Sequence, residues 1–351
     1  MFVRTSQALI MCPDHEGTVA FNFLKQTNFV CNEEVLLLLH HLHVWKPIQS
    51  VENLFPEMDR DEVLQSIQHL VDLGALVVQG SPDALEERLK VESWEWGVPS
   101  ALLHYCEQDR KFVSRAEAED IQRSRKAEVE PVESYKLNVC YEDEKRLPKA
   151  SASVLGLMAK RRTQRNVHKA LISEVALADC LFAGMGILDE VRNCVGSLPL
   201  SMTPSGGARN PYEAYVYISE VEGLEAGFYH YSAKEHSLGL IKQTVMEDPA
   251  ALIGDQTWIN NMSAIIFLCA DFRRTMWKYQ DNNAYKVVLI EAGHIGQNIM
   301  LAATEHGLTA CPSAALAHSD ISKHLELEHA LQSPVYALML GVPDTSGRQF
   351  H

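Results

Sequence analysis

The sequence lacks several features that define common protein classes. Its eight cysteines are scattered and form no CxxC pair, which is typical of reduced cytosolic thiols and not of a disulfide scaffold. No run of about 18 apolar residues, the length that spans a bilayer, is present. The opening MFVRTSQALIMCPDHEG has an apolar run too short for a signal peptide. We therefore expect a soluble, cytoplasmic protein that holds no metal ion.

Positive charge is also scarce. The 351 residues include 31 basic and 46 acidic side chains, a net charge of −15. Nucleic acids and anionic membranes attract proteins with an excess of Lys and Arg, so neither is an expected partner. The composition, 46% hydrophobic and 22% charged, is typical of a folded protein. The length exceeds the ~250–300 residues at which one core stops growing, so we expect two domains.

Charge density places the predicted boundary. Between residues 107 and 146, 20 of 40 residues are charged, which predicts a charged linker or solvated helix at 107–150. It separates an N-terminal domain at 1–106 from a larger domain at 151–351.

The N-terminal domain has a local pattern typical of a winged helix. A helix is predicted at 32–43 and a second one after Asp59, whose spacing from Glu62 forms a capping box. Gly74 ends the second helix before a short strand at 75–78. A generic small α+β domain is the alternative. Residues 1–96 hold 6 basic and 15 acidic side chains, so we expect this domain to bind a peptide or protein and not DNA.

The C-terminal domain is predicted to be α+β, with a central sheet flanked by two long helices, because its strands and helices follow no strict βαβ rhythm. The helices are predicted at 170–185 and 283–306. The strands are predicted at 213–218, 228–231, 263–270 and 335–340.

Three short motifs in this domain suggest chemistry. The run KRRTQR at 160–165 is placed before an amphipathic helix, where guanidinium groups and the helix dipole could grip a phosphate; a solvated helix face is the alternative. The run PSGG at 204–207 lets backbone N–H groups approach a planar or anionic ligand, although an ordinary turn has the same composition. Lys278 next to Tyr279 could act as a base in a desolvated pocket, although such pairs also occur by chance.

The order and spacing of the motifs decide between these alternatives. RRTQR, PSGGARNP, GLEAGFYHY, WKY and EAGHIGQNIMLAATEHGLTACP follow one another across about residues 151–343. This arrangement resembles the flavin-dependent nitroreductase superfamily and, more narrowly, its SagB-type azoline dehydrogenases, which oxidise thiazoline or oxazoline rings in peptides. Trp94-Glu95-Trp96 followed by His104 is similar to the family's lead-in to that domain.

The resemblance implies an FMN site, and it implies that Lys278 and Tyr279 are the catalytic pair. Cys311 is expected to pack and not to act as a redox group. Glu291 and His294 could serve as an acid–base pair or as metal ligands, but their spacing of three residues on one helix favours a structural pair. The FMN-binding residues that the resemblance implies are Arg161, Arg162, Thr163, Arg165, Pro204, Ser205, Gly206, Gly207, Gly307, Ala310, Cys311 and Pro312.

The implied function is FMN-dependent dehydrogenation of azoline rings by a homodimer, with a peptide or carrier-bound substrate and a cyclase as a further partner. Oxygen is the expected electron acceptor because the chain has no GxGxxG fingerprint. Arg209 and Asn210 depart from the family pattern after PSGG and leave the substrate open, and Arg348 could add a phosphate contact. A flavin enzyme acting on another aminoacyl, dehydroamino acid or small aromatic substrate is one alternative. A non-catalytic scaffold in a peptide-modifying complex is the other.

Overall fold

The computed structural model describes two compact units. One combines residues 1–108 with 271–288 and 328–332, and the other contains the described residues of 109–270, 289–327 and 333–351. The domain boundaries at 106 and 150 remain a prediction. The division into two units differs from them because residues 271–288 and 328–332 belong to the first unit. Arg348 and residues 110–113 and 129–150 of the predicted linker lie outside the described residues. The structure describes residues 1–15, 17–109, 114–128, 153–193, 196–279 and 283–344.

Helices and strands alternate irregularly along the chain. The helices are α1 Glu33–His41, α2 Gln49–Glu52, α3 Arg60–Asp72, α4 Pro82–Glu87, α5 Val98–Cys106, α6 Arg115–Glu128, α7 Val154–Lys160, α8 Glu174–Met185, α9 Phe272–Met276, α10 Asn283–Glu305 and α11 His318–His324. The strands are β1 Phe2–Thr5, β2 Leu9–Asp14, β3 Gly17–Asn22, β4 Thr27–Cys31, β5 Lys46–Pro47, β6 Leu76–Val78, β7 Val167–His168, β8 Ile187–Asn193, β9 Gly196–Ser201, β10 Tyr212–Ile218, β11 Gly227–Ser232, β12 Ser237–Gln243, β13 Ala264–Asp271, β14 Thr309–Ser313 and β15 Gln332–Pro343.

Side-chain caps begin both predicted helices of the first unit. Asn32 accepts from the Val35 amide at 2.9 Å before α1. Asp59 accepts from the Glu62 amide at 2.8 Å, and the Glu62 carboxylate accepts from the Asp59 amide at 2.9 Å, which completes the capping box of α3. Gly74 follows α3 with φ +76°, a conformation that glycine adopts at little cost. The predicted order of helix, helix and strand is confirmed as α1, α3 and β6.

Two small sheets complete the first unit. One has the order β5-β1-β6. The other is the meander β2-β3-β4, whose strands were not among the predicted elements. The helices α1 and α3 cover a core in which apolar side chains are almost fully buried. These side chains include Val3, Leu38, Leu39, Leu42, Val63, Ile67 and Leu76.

The second unit is built on a seven-stranded sheet. Its order is β12-β11-β10-β13-β15-β14, and β7 pairs with the end of β15. β10 is antiparallel to both β11 and β13, and β14 is antiparallel to β15. All eight residues of β13 are buried, as expected of a strand covered on both faces. The strands predicted at 213–218, 228–231, 263–270 and 335–340 are confirmed as β10, β11, β13 and β15.

α10 is long and apolar enough to cross a membrane by length and composition, with a mean hydropathy of 1.2 over 18 residues. In the second unit this helix packs as a core element. Gly296 lies against the ring of Tyr336 on β15, and Ile295 and Ile299 lie against Gly184 on α8. Core helices of folded domains meet the same length and hydropathy test.

Candidate active site

The PSGG loop connects β9 to β10 in the second unit and holds an unusual backbone. A short 3₁₀ turn spans Gly206–Ala208, and Gly207, Ala208 and Asn210 have φ of +64°, +53° and +44°. A left-handed conformation is uncommon for a non-glycine residue and persists only where the surroundings hold it. The loop is therefore shaped by its contacts.

Ser205 and Asn210 supply those contacts. The Ser205 hydroxyl accepts from the Asn210 amide at 2.8 Å, and the Ser205 carbonyl accepts from the Ala208 amide at 3.0 Å. The Asn210 side-chain amide donates to the Pro199 carbonyl at 3.0 Å and its oxygen accepts from the Ser201 hydroxyl at 2.9 Å. Asn210 thus fixes the loop to the end of β9.

Thr203 connects the start of the PSGG loop to α8 and α10 by hydrogen bonds. Its side chain is buried, and its hydroxyl donates to the Gly184 carbonyl of α8 at 2.7 Å. The same hydroxyl accepts from the Asn298 amide of α10 at 2.9 Å. The loop therefore lies over the packed α8–α10 pair.

Glu291 of α10 is the buried acid of this site. It is 5% exposed, and its carboxylate accepts from the Gly206 amide at 3.3 Å and from the Ser205 hydroxyl. Burial raises its pKa to about 7, although the two hydrogen bonds oppose the shift. His294 is exposed, and the partners that define the surroundings of Glu291 lie on the PSGG loop. Spacing within one helix could not reveal a partner 85 residues away in sequence.

The arginine stretch 161–165 begins where α7 ends. Arg161 is the C-cap of α7, and the next long helix, α8, starts at its own cap, Ser173. The prediction that the stretch sits at a helix start is wrong. Helix C-termini carry partial negative charge, so the dipole there stabilises the basic side chains and does not bind an anion.

The three guanidinium groups lie near the protein surface. Arg161 donates to the Thr163 hydroxyl at 3.4 Å, and Arg162 donates to the Arg161 carbonyl at 2.7 Å. The guanidinium carbon of Arg165 lies 5.5 Å from the centroid of the Trp258 ring. Arg162 and Arg165 are exposed, which leaves much of the planar donor edge directed to solvent or to a ligand.

The backbone of this stretch lies against β14. The Thr309 hydroxyl accepts from the Gln164 amide at 3.0 Å and donates to the Arg162 carbonyl at 3.4 Å. The Cys311 thiol donates to the Gln164 carbonyl at 3.2 Å. The structure therefore brings two of the predicted FMN segments, 161–165 and 307–312, into direct contact.

The residues of 307–312 are placed by packing and capping. Gly307, with φ +70°, follows α10, and the Leu308 amide donates to the Ala303 carbonyl at 2.8 Å, as in a Schellman cap. Ala310 and Cys311 are buried, and Pro312 is half-buried. Burial raises the pKa of the Cys311 thiol, which keeps it protonated and unreactive.

Lys278 and Tyr279 belong to the first unit, whereas the other predicted site residues belong to the second. Both side chains are exposed, and the Lys278 ammonium lies 5.4 Å from the centroid of the Tyr279 ring. Among the described residues, no group of three or more His, Cys, Asp or Glu side chains could hold a metal ion.

The second unit thus presents two kinds of donor. Guanidinium groups suit a phosphate, which they bind through paired N–H donors. A glycine-rich loop with fixed backbone amides suits a flat, polar ring system. The donor set fits a phosphorylated cofactor of the FMN type.

The family assignment follows from residues 158–342, which match the nitroreductase family. The chain belongs to the nitroreductase family. It is therefore an oxidoreductase of a family whose members typically use flavin cofactors, and the predicted nitroreductase-like α+β fold is confirmed.

Proteins similar to the chain include two relatives and one solved structure. A nitroreductase of Methanocaldococcus jannaschii is 29% identical over 173 residues, which cover 49% of this chain and 83% of that protein. The trifolitoxin-processing protein TfxB of Rhizobium leguminosarum bv. trifolii is 26% identical over 316 residues, 84% of this chain and 83% of TfxB. The E. coli microcin synthetase McbBCD complex with truncated pro-MccB17 bound contains a chain with a TM-score of 0.47 and 20% identity, covering 65% of this chain and 92% of that one.

Proposed function

We propose that this chain is an FMN-dependent dehydrogenase that converts azoline rings of a peptide or carrier-bound substrate into azoles. The observation that carries the proposal is the similarity to TfxB, which extends over 84% of the chain and so includes the N-terminal part as well as the nitroreductase part. TfxB is named for processing trifolitoxin. The motif order RRTQR, PSGG and WKY supports the same subclass.

The proposed cofactor residues follow from the donor set. Arg161, Arg162 and Arg165 would hold the phosphate, and their backbone is kept in place by Thr309. The PSGG loop would lie against the ring system. Bound FMN would supply a two-electron acceptor for a hydride that leaves the substrate carbon.

The proposed base is Lys278 or Tyr279. Conversion of an azoline to an azole removes a hydride from one carbon and a proton from its neighbour, so a base must take the proton while the hydride leaves. Both side chains are exposed at the end of α9 and accessible to a substrate. The aromaticity of the azole drives the reaction forward.

We also propose a homodimer. The β8–β9 hairpin, which leads directly into the PSGG loop, exposes Leu188, Val191 and Leu200 by 62%, 45% and 42%. Apolar side chains grouped in this way mark interaction surfaces, and a second copy is the occupant that the flavin proposal calls for. A cyclase partner and a cytoplasmic location stay predictions.

The test of the cofactor is the absorption spectrum of the purified protein. We expect a flavin spectrum, release of FMN on denaturation, and loss of FMN affinity when Arg161 and Arg162 are both replaced by Ala. Replacing Lys169 by Ala is the matched control, because Lys169 pairs with Glu220 at 2.9 Å. Protein that is colourless and does not take up added FMN would exclude the cofactor proposal.

The test of the reaction is Lys278→Ala. We expect this variant to bind FMN normally but to leave a thiazoline-containing peptide unoxidised, measured by mass spectrometry as the loss of two hydrogens. Lys286→Ala, which removes another exposed lysine a few residues away on α10, should keep the activity. Normal turnover by Lys278→Ala would remove that residue from the mechanism.

Turnover of NAD(P)H with quinones or nitroaromatics, but not of the thiazoline peptide, would favour the alternative flavin enzyme. Absence of both activities in FMN-loaded protein would favour the scaffold.

A further inference from the structure

The segment that carries Lys278 and Tyr279 is short and directly follows α9 in the first unit. Two backbone hydrogen bonds connect it to α9: the amides of Lys278 and Tyr279 donate to the Thr275 carbonyl at 3.1 and 2.9 Å. Thr275 and Phe272 are buried, whereas the side chains of residues 277–279 are exposed. The backbone of Lys278 and Tyr279 is thus held by hydrogen bonds to α9, whereas their side chains are exposed to solvent.

Trp96 belongs to an aromatic cluster of the first unit, defined here as Trp94, Trp96, His104, Phe272 and Tyr285. The Trp96 ring meets Phe272 and Tyr285 edge-on, at centroid distances of 5.9 and 6.1 Å. Trp94 stacks on His104 at 5.0 Å, and His104 hydrogen-bonds to the Tyr285 hydroxyl at 3.1 Å. Such packed pairs fix ring positions through many small contacts.

Within this cluster, Trp96 makes a hydrogen bond to the segment that carries Lys278 and Tyr279, in addition to its ring contacts. Its indole N–H donates to the main-chain carbonyl of Tyr279 at 2.7 Å. Trp96 is 2% exposed, so the loss of this bond would leave a buried donor unsatisfied. The bond joins residues 183 positions apart in sequence. Its acceptor is the carbonyl of Tyr279, one of the two residues proposed as the base.

We infer that Trp96 is a positioning residue, which fixes the Lys278–Tyr279 backbone through its indole N–H so that the two side chains meet the substrate in a reactive geometry. This inference rests on the proposed function for its catalytic consequence, but the positioning itself is a property of the first unit. Small displacements of a catalytic group can lower a rate by roughly 10²-fold, so one hydrogen bond at this place has a measurable effect.

The test compares Trp96→Phe with Trp94→Phe. Each variant keeps an aromatic ring and loses one indole N–H in the same cluster, but the Trp94 N–H donates to the Ser100 hydroxyl at 2.9 Å and not to the catalytic segment. We expect Trp96→Phe to lower kcat on the thiazoline peptide by roughly 10- to 100-fold, with KM and FMN affinity unchanged, and to shift the pH at which kcat is half-maximal. Trp94→Phe should change none of these quantities by more than about twofold, since its N–H lies outside the reacting geometry.

Hydrogen–deuterium exchange of residues 272–279 gives a readout that does not depend on the substrate. We expect faster exchange in Trp96→Phe than in Trp94→Phe, and equal exchange in the two variants would overturn the inference. Equal kcat values in an enzyme that does oxidise the peptide would overturn it as well. If wild-type protein does not oxidise the peptide, the proposed function fails and the exchange experiment alone decides on the positioning. If Trp96→Phe does not fold, benzothienylalanine at position 96, which replaces only the N–H by sulfur, takes its place in both measurements.

Discussion

Glu291 shows how burial changes the behaviour of one residue. Its pKa is raised from 4.5 to about 7 because its carboxyl group is removed from water. A raised pKa means that the folded state binds the proton more tightly than the unfolded chain. The resulting stability is present below pH 4.5 and is lost as the pH rises toward 7.

We therefore expect Glu291→Gln to flatten the pH dependence of stability. Relative to wild type, the variant should gain up to about 3 kcal/mol in free energy of unfolding between pH 4.5 and 8, because Gln stays neutral throughout. Urea unfolding at several pH values measures the difference. A constant difference across this range would show that Glu291 does not titrate there.

Arg4 and Glu87 form a buried ion pair in the first unit. They are 5% and 2% exposed, and their side chains approach to 3.1 Å. Glu87 also accepts from the Ser6 hydroxyl and from the Gln7 amide, but these neutral donors cannot balance its charge. Removing one partner of a buried pair is more costly than removing both.

Arg4→Met should accordingly destabilise the protein by about 3–5 kcal/mol, because it leaves the Glu87 carboxylate buried without its counter-charge. The double variant Arg4→Met/Glu87→Gln should recover a large part of that loss. Free energies of unfolding in urea give both values. A double variant as unstable as the single one would contradict this account.

At the scale of elements, two glycines of α10 face different surroundings. A Cβ added to Gly296 would lie 2.6 Å from Tyr336 Cε1, whereas a Cβ on Gly293 would meet no atom within 4 Å. Alanine favours a helix over glycine by about 1 kcal/mol, but overpacking costs about 1–3 kcal/mol. The same substitution should therefore have opposite effects three residues apart.

We expect Gly293→Ala to raise the free energy of unfolding by about 0.5–1 kcal/mol and Gly296→Ala to lower it by about 1–2 kcal/mol. Thermal unfolding midpoints, measured side by side, test the pair. If Gly296→Ala also stabilises, the Tyr336 ring moves aside and the contact between α10 and β15 is looser than the structure shows.

Elements with local signals could be predicted from the sequence. The capping box of Asp59 and Glu62 places the start of α3 because both hydrogen bonds form within four residues. The β2-β3-β4 meander has a weaker signal, because the apolar residues of Gly17–Asn22 and Thr27–Cys31 form short continuous runs, VAF and FVC, and do not alternate with polar residues.

The arginine stretch was misplaced for a different reason. Basic residues occur at both ends of helices, and the sequence alone did not show that α7 precedes the stretch while α8 starts only after Ser173. The partners of Glu291 on the PSGG loop were equally hidden, since a tertiary contact leaves no local pattern. The site residues themselves could be predicted only through motif order.

At the scale of the whole molecule, the chain re-enters its first unit late in the sequence. Residues 271–288 fold with residues 1–108, and this late segment contains Lys278 and Tyr279. The proposed catalytic pair therefore depends on the N-terminal part for its structure. Cutting the chain near residue 108 would place residues 1–108 and 271–288, which fold together, on separate polypeptides.

We expect a fragment of residues 109–351 to fail as an independent protein. Phe272, Met276 and Tyr285 are 0%, 2% and 7% exposed, and removal of residues 1–108 takes away the Trp94 and Trp96 rings that contact Phe272 and Tyr285. The uncovered apolar surface should cause aggregation or binding of a hydrophobic dye, seen by size-exclusion chromatography and fluorescence.

Co-expression of residues 1–108 as a separate chain is the control, because it returns the missing aromatic partners without the covalent link. It should restore a soluble complex with the two fragments in equal amounts. A 109–351 fragment that does not aggregate, unfolds cooperatively and binds no dye on its own would show that residues 271–288 need no cover from the N-terminal part.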